Sequence, residues 1–111
     1  MLIYKIFRRP EWDMLDAQGQ TAGAPVDLAD GFIHFSTRDQ ARETAAKHFA
    51  GVDDLVLAAL DAEALGEALK WEPSRGGALF PHLYRVLKRS EIAWTAPLPL
   101  RDGVHDFPDM P

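Results

Sequence analysis

Strand-like and helix-like segments follow one another along this chain without the regular βαβ alternation that a parallel sheet requires. Leu2 to Phe7 alternates, with Tyr4 and Ile6 toward one face and Ile3, Lys5 and Phe7 toward the other. Asp54 to Leu60 is an apolar run of the kind found in a buried strand. The pattern predicts an α+β fold: a curved, largely antiparallel sheet with short helices. A chain of 111 residues can bury one core but not two, so residues 1–111 read as a single compact domain with 100–111 as an irregular tail.

Local signals place the remaining elements. Pro10 suits the opening turn of a short helix, with Glu11 and Asp13 at its positive end. Val26 to Gly31 carries turn signals, and Phe32 to Phe35 reads as a short strand. Thr37-Arg38-Asp39-Gln40 matches a capping box for a helix to about Phe49, ended by Gly51, with Ala41, Ala45, His48 and Phe49 on its inner face. Asp61 can cap a second helix through about Leu69. Leu83 to Leu87 reads as a strand whose antiparallel partner is Ile92 to Thr95, joined by a turn over Lys88 to Glu91.

Composition excludes several functions. The chain has no cysteine, which removes disulfides, thiolate zinc sites and cysteine nucleophiles and fits a reducing compartment. No segment approaches the ~20 apolar residues of a membrane span, and the N-terminus lacks a signal-peptide pattern, so a soluble cytoplasmic protein is expected. A net charge of −5 makes bulk nucleic-acid binding an unfavourable reading, with Arg8-Arg9 and Lys88-Arg89 taken as solvated turn charges. His-x-His, His-x-x-x-His and Glu-x-x-His spacings are all missing, so no metal is expected. Gly-x-Ser-x-Gly, Walker and Gly-x-Gly-x-x-Gly patterns are missing as well.

Three segments concentrate the polar chemistry: Asp30-Gly-Phe-Ile-His-Phe-Ser-Thr37, Trp71-Glu-Pro-Ser-Arg-Gly-Gly77 and Phe80-Pro-His-Leu-Tyr84. Strand alternation sets His34 on the face opposite Ile33 and Phe35. There it can bind a ligand hydroxyl or move a proton, or be a buried histidine satisfied by a carbonyl. Thr37 suits a helix cap, which leaves Ser36 to meet a ligand at the helix start. Arg75 offers a planar fork for phosphate or carboxylate, and Gly76 and Gly77 allow close backbone approach. Glu72 can stabilise a developing cation or accept a proton; the plainer reading is a surface turn in which it pairs with Arg75. His82 and Tyr84 project to one face as a candidate ligand wall. His48 reads as a core histidine. Together these groups suggest a concave site for a small anionic or nucleotide ligand.

These segments, with His48-Phe49 and Trp71-Glu72, resemble the bacterial family called domain of unknown function 952, from Tyr4 to Phe107. The resemblance implies a fold similar to the ADP-ribosyltransferase superfamily, in particular its RNA 2′-phosphotransferase branch. It implies NAD as a candidate cofactor, with His34, Ser36 and Thr37 resembling the element that holds ribose and nicotinamide. By the same likeness Arg75 would hold phosphate, and His82 or Glu72 would stabilise the oxocarbenium-like charge of a transferase or glycohydrolase. The alternatives are a non-catalytic module for a nucleotide or anionic metabolite, or a protein-interaction domain.

Overall fold

A computed structural model describes residues 1–111, the side chain of Arg75 excepted. It is an α+β domain with two three-stranded antiparallel sheets where the sequence suggests one. The first has the order β1 (Leu2–Arg8), β4 (Leu55–Asp61), β8 (Ile92–Leu98). The second has the order β3 (Ile33–His34), β6 (Ala78–Leu83), β5 (Leu69–Ser74). Two short ribbons complete the strands: β2 (Gln20–Thr21) with β7 (Leu87–Lys88), and β9 (Leu100–Arg101) with β10 (Val104–His105).

The apolar alternation of β1 and the apolar run of β4 share one cause: both faces of the first sheet are covered. Ile3, Phe7, Val56, Ala58 and Leu60 pack with Trp12 and Leu15 of α1 (Arg9–Gln18) and with Ile33 and Leu83 of the second sheet. Tyr4, Ile6, Leu55, Leu57 and Ala59 pack on the other side with Ala45 of α3 (Arg38–His48), Phe107 and Met110. The last dozen residues are irregular only in part: 106–111 carry no helix or strand, but the segment is not a loose tail. Residues 100–101 and 104–105 form β9 and β10, and Phe107 and Met110 close one face of the core, with the Tyr4 hydroxyl donating to the Pro111 carbonyl.

Other expectations need correction. Val26 to Asp30 is no turn; it lies in α2 (Pro25–Asp30), and the turn is confined to the residue after it, Gly31, in a left-handed conformation with φ 86°. Pro25 supplies the first helical position, and the Asp27 carboxylate accepts from the Ala24 N–H at 2.8 Å, satisfying a donor orphaned by helix geometry. The helix expected from Asp61 to Leu69 is a 3-10 segment over Glu63–Ala68, interrupted where Gly66 takes φ 73°, and Leu69 already belongs to β5. Ile92 to Thr95 does not pair with Leu83 to Leu87. Its partner is β4, the middle strand of the first sheet, while β6 forms a hairpin with β5 through a turn at Arg75–Gly77.

The two sheets meet at a single bridge that fixes the site. Tyr4 on β1 and Ser36, just beyond β3, exchange N–H···O=C bonds of 2.8 Å in both directions. At the head of α3 the Thr37 N–H donates to Gln40 Oε1 at 3.0 Å, half of the expected capping box; the Thr37 hydroxyl makes no cap bond. Gln40 also donates to the Leu79 carbonyl at 2.7 Å, tying the helix start to the β5–β6 hairpin.

Candidate functional site

Where β1, α2, β3 and β6 converge, a cavity of about 420 Å³ is lined by Lys5, Asp27, Asp30, His34, Ser36 and His82, among others. Its wall is built on one pair of opposed residues, His34 on β3 and His82 on β6. Their ring centroids lie 5.4 Å apart, and each imidazole is held by a carboxylate.

Asp27 holds His34. Its side chain is fully buried, and its four acceptor positions meet four donors. Oδ1 receives the His34 N–H at 3.1 Å and lies 2.6 Å from Nδ1; Oδ2 receives the Ala24 N–H at 2.8 Å and Lys5 Nζ at 3.0 Å. Burial alone would raise this carboxyl, but the bonds from His34, Lys5 and Ala24 outweigh it and lower the pKa to about 2. Lys5, itself buried on β1, also donates to the His34 carbonyl at 3.1 Å. The other ring nitrogen of His34, Nε2, faces Asp30 Oδ2 at 3.0 Å across the mouth of the cavity, where Asp30 is 47% exposed. Both nitrogens of His34 are thus engaged by protein carboxylates.

Gly23 makes the Asp27 arrangement possible. It sits at φ 115°, and a Cβ there would lie 2.5 Å from the Asp27 Cβ and 2.8 Å from Oδ2. Only a residue without a side chain lets the loop pass this close to the carboxylate.

Glu72 holds His82. Its Oε1 lies 2.9 Å from His82 Nδ1 and accepts the Tyr84 hydroxyl at 2.7 Å. Those two bonds, Tyr84 first, keep the carboxyl below its ordinary range, and the same bond raises the Tyr84 phenol. Phe32 stacks on the His82 ring at 4.1 Å and 29° and also touches the His34 and Tyr84 rings. Glu72 lies on strand β5 and reaches across to β6; the expected pairing with the Arg75 side chain lies outside the described residues.

The residues named from sequence divide into three groups. His34, Ser36 and His82 line the cavity. Ser36 is not a free hydroxyl, because its Oγ lies 2.8 Å from Thr44 Oγ1. Glu72 and Tyr84 stand behind His82 and reach the cavity through it. Thr37 faces a separate hollow with Arg38 and Pro111, and Gly76 and Gly77, at φ 72° and 87°, form the hairpin turn without lining the cavity. The expectation for Arg75 lies outside the described residues. His48 is exposed and lines the cavity, so it is not a core histidine. Arg8 is exposed, but it ends strand β1 rather than sitting in a turn: its guanidinium lies 4.8 Å over the Phe49 ring and it lines the cavity, whereas Arg9 pairs with Asp54.

Sequence reasoning missed Asp27, Lys5, Asp30 and Arg8. Lys5 carried a signal: a lysine sharing the Ile3 and Phe7 face of a strand points inward and needs a buried anion. Among the described residues no group of three or more side chains is arranged to hold a metal ion. No helix among them is long and apolar enough to cross a membrane.

Fold and site together define a small α+β domain with a cavity walled by two carboxylate-backed histidines. The chain belongs to the family described as protein of unknown function DUF952, matched over residues 6–95. It is similar to the crystal structure of protein CC0527 from Caulobacter crescentus, at 61% identity over 96% of this chain and 94% of that one, with a TM-score of 0.92. The solution structure of CC0527 matches at 62% identity over 93% and 90% of the two chains, with a TM-score of 0.84. No curated protein matches the sequence.

Proposed function

We propose that the cavity binds a nucleotide of the ADP-ribose class, with NAD the parent ligand, and that bound NAD is cleaved or transferred at its glycosidic bond. The observation that carries this reading is that His34 and Ser36, the pair resembling the ribose-holding element of ADP-ribosyltransferases, line one cavity with a second histidine, His82. The volume of about 420 Å³ suits a small-molecule site, for which ~300–1,000 Å³ is typical. Arg8 supplies a cation for phosphate: among the described residues its guanidinium has no carboxylate partner, while Lys5 is neutralised by Asp27. Likeness to the ADP-ribosyltransferase fold is part of the proposal, as is action in the cytoplasm.

Calorimetric titration with NAD and ADP-ribose should give a saturable isotherm that His34→Ala and Arg8→Gln each weaken by about 1–3 kcal/mol. Chromatography of the incubated mixture should show nicotinamide release. A flat titration at millimolar nucleotide removes the proposal.

One feature favours a second reading, a non-catalytic nucleotide or anionic-metabolite module. Asp27 and Asp30 already engage both nitrogens of His34, leaving neither for proton exchange with a ligand. This reading expects ligand-dependent thermal stabilisation with no nicotinamide released.

A further inference from the structure

The two imidazoles of the wall differ at the nitrogen distal to their main carboxylate. Nε2 of His34 meets Asp30, but Nε2 of His82 has no partner among the described residues. This unpartnered nitrogen belongs to a side chain only 6% exposed, and the residue lines the cavity. Leaving a buried polar atom unpaired carries a desolvation penalty, so such an atom in a cavity wall marks where a ligand group belongs.

The surroundings fix the nitrogen that carries the first proton. Glu72 is an ionised carboxylate with only acceptor capacity, so the bond at 2.9 Å requires the proton on Nδ1. A neutral ring with Nδ1–H presents a lone pair at Nε2. Tyr84 holds the same Oε1 from the other side, and Phe32, stacked at 4.1 Å, sets the plane of the ring. Such a nitrogen accepts an O–H and repels an anion.

We infer that His82 Nε2 is the proton acceptor of the site, receiving a hydroxyl of the bound ribose, with Glu72 as the positioning residue that sets its tautomer. This rests on the nucleotide reading above and adds the atom and ligand group involved. When the proton transfers, it leaves the ligand oxygen for Nε2, the bonding pair stays on that oxygen, and the imidazolium lies beside the Glu72 carboxylate. His34, engaged at both nitrogens, would remain a fixed element of the wall.

The test is long-range ¹H–¹⁵N spectroscopy of the imidazoles in the full chain, alone and with ADP-ribose. The free protein should show His82 protonated at Nδ1 and bare at Nε2, and Glu72→Gln should mix the two tautomers. Added ADP-ribose should shift the His82 Nε2 resonance, and His82→Ala should weaken its binding roughly tenfold. A free protein with the proton on Nε2 overturns the inference whatever the nucleotide does. Binding seen at backbone amides with the Nε2 signal unmoved overturns the inference alone. No binding at millimolar ADP-ribose overturns the nucleotide reading and this assignment with it. Tyr84→Phe guards against misfolding of the Glu72 variant: it keeps the Glu72–His82 bond and should preserve Nδ1–H, and loss of that tautomer counts against the inference.

Discussion

His34 and His82 are opposed across one antiparallel pair, yet the carboxylates behind them do different work. Asp27 is buried and shared by two main-chain N–H groups, a lysine and an imidazole, so it joins β1, α2 and β3 into one unit. Glu72 is 39% exposed and, among the described residues, is hydrogen-bonded by two side chains, His82 on β6 and Tyr84 just beyond it. The first pair is structural scaffolding with a histidine attached. The second is a histidine held at one nitrogen and, among the described residues, unpartnered at the other. The two histidines are alike in type and strand position; the burial and donor count of their carboxylates separate them.

The largest effect should come from Asp27→Asn. The amide would turn a donor toward Lys5 Nζ or the Ala24 N–H and would leave the buried lysine without a counter-charge. A loss of about 3–5 kcal/mol in unfolding free energy is expected by urea titration. Lys5→Met in the same chain should recover part of it, because the charge stranded by the first change is then gone. A loss no larger than that of a surface substitution would erase the contrast between the two pairs.

Acid should break the same unit. The folded pKa of Asp27, about 2, lies below its ordinary 3.8, so the stability it contributes is fully present above 3.8 and disappears as pH falls through about 2. The shift corresponds to roughly 2 kcal/mol, and the difference in stability between the parent chain and Asp27→Asn should shrink by that much across this window. A difference that stays constant down to pH 2 contradicts the assignment.

Gly23→Ala comes next, at about 1–2 kcal/mol, since the added methyl strains a φ of 115° and pushes on the Asp27 carboxylate. The imidazole resonances of His34 should move with it while those of His82 stay in place.

The sequence made parts of this contrast legible and hid others. β1 stood out by its alternation, β4 because burial on both faces leaves an apolar run, and α3 because Gln40 follows Thr37 at the capping interval. The β5–β6 hairpin was obscured by proline. Pro73 lies on edge strand β5, where a missing donor costs little, and Pro81 lies in the middle strand yet still accepts the Phe35 N–H at 3.1 Å through its carbonyl. Local pattern therefore read turns where strands exist. Both histidines of the wall were visible from alternation, but Asp27 was not. Its donors come from positions 5, 24 and 34, and no spacing rule links a carboxylate to partners that only the fold assembles.

The smallest expected effect on stability sharpens the comparison most. Glu72→Gln removes a half-exposed carboxylate whose hydrogen-bond partners among the described residues are two side chains, so the unfolding midpoint should stay within the spread of ordinary surface changes. Function should separate from stability here. If Glu72 serves to orient His82, nucleotide affinity falls in this variant while Asp30→Asn, at the open end of the other pair, leaves the His82 tautomer unchanged. Equal losses of stability from Glu72→Gln and Asp27→Asn, measured by the same urea titration, would mean both carboxylates are scaffold and that the difference in burial between them carries no functional division.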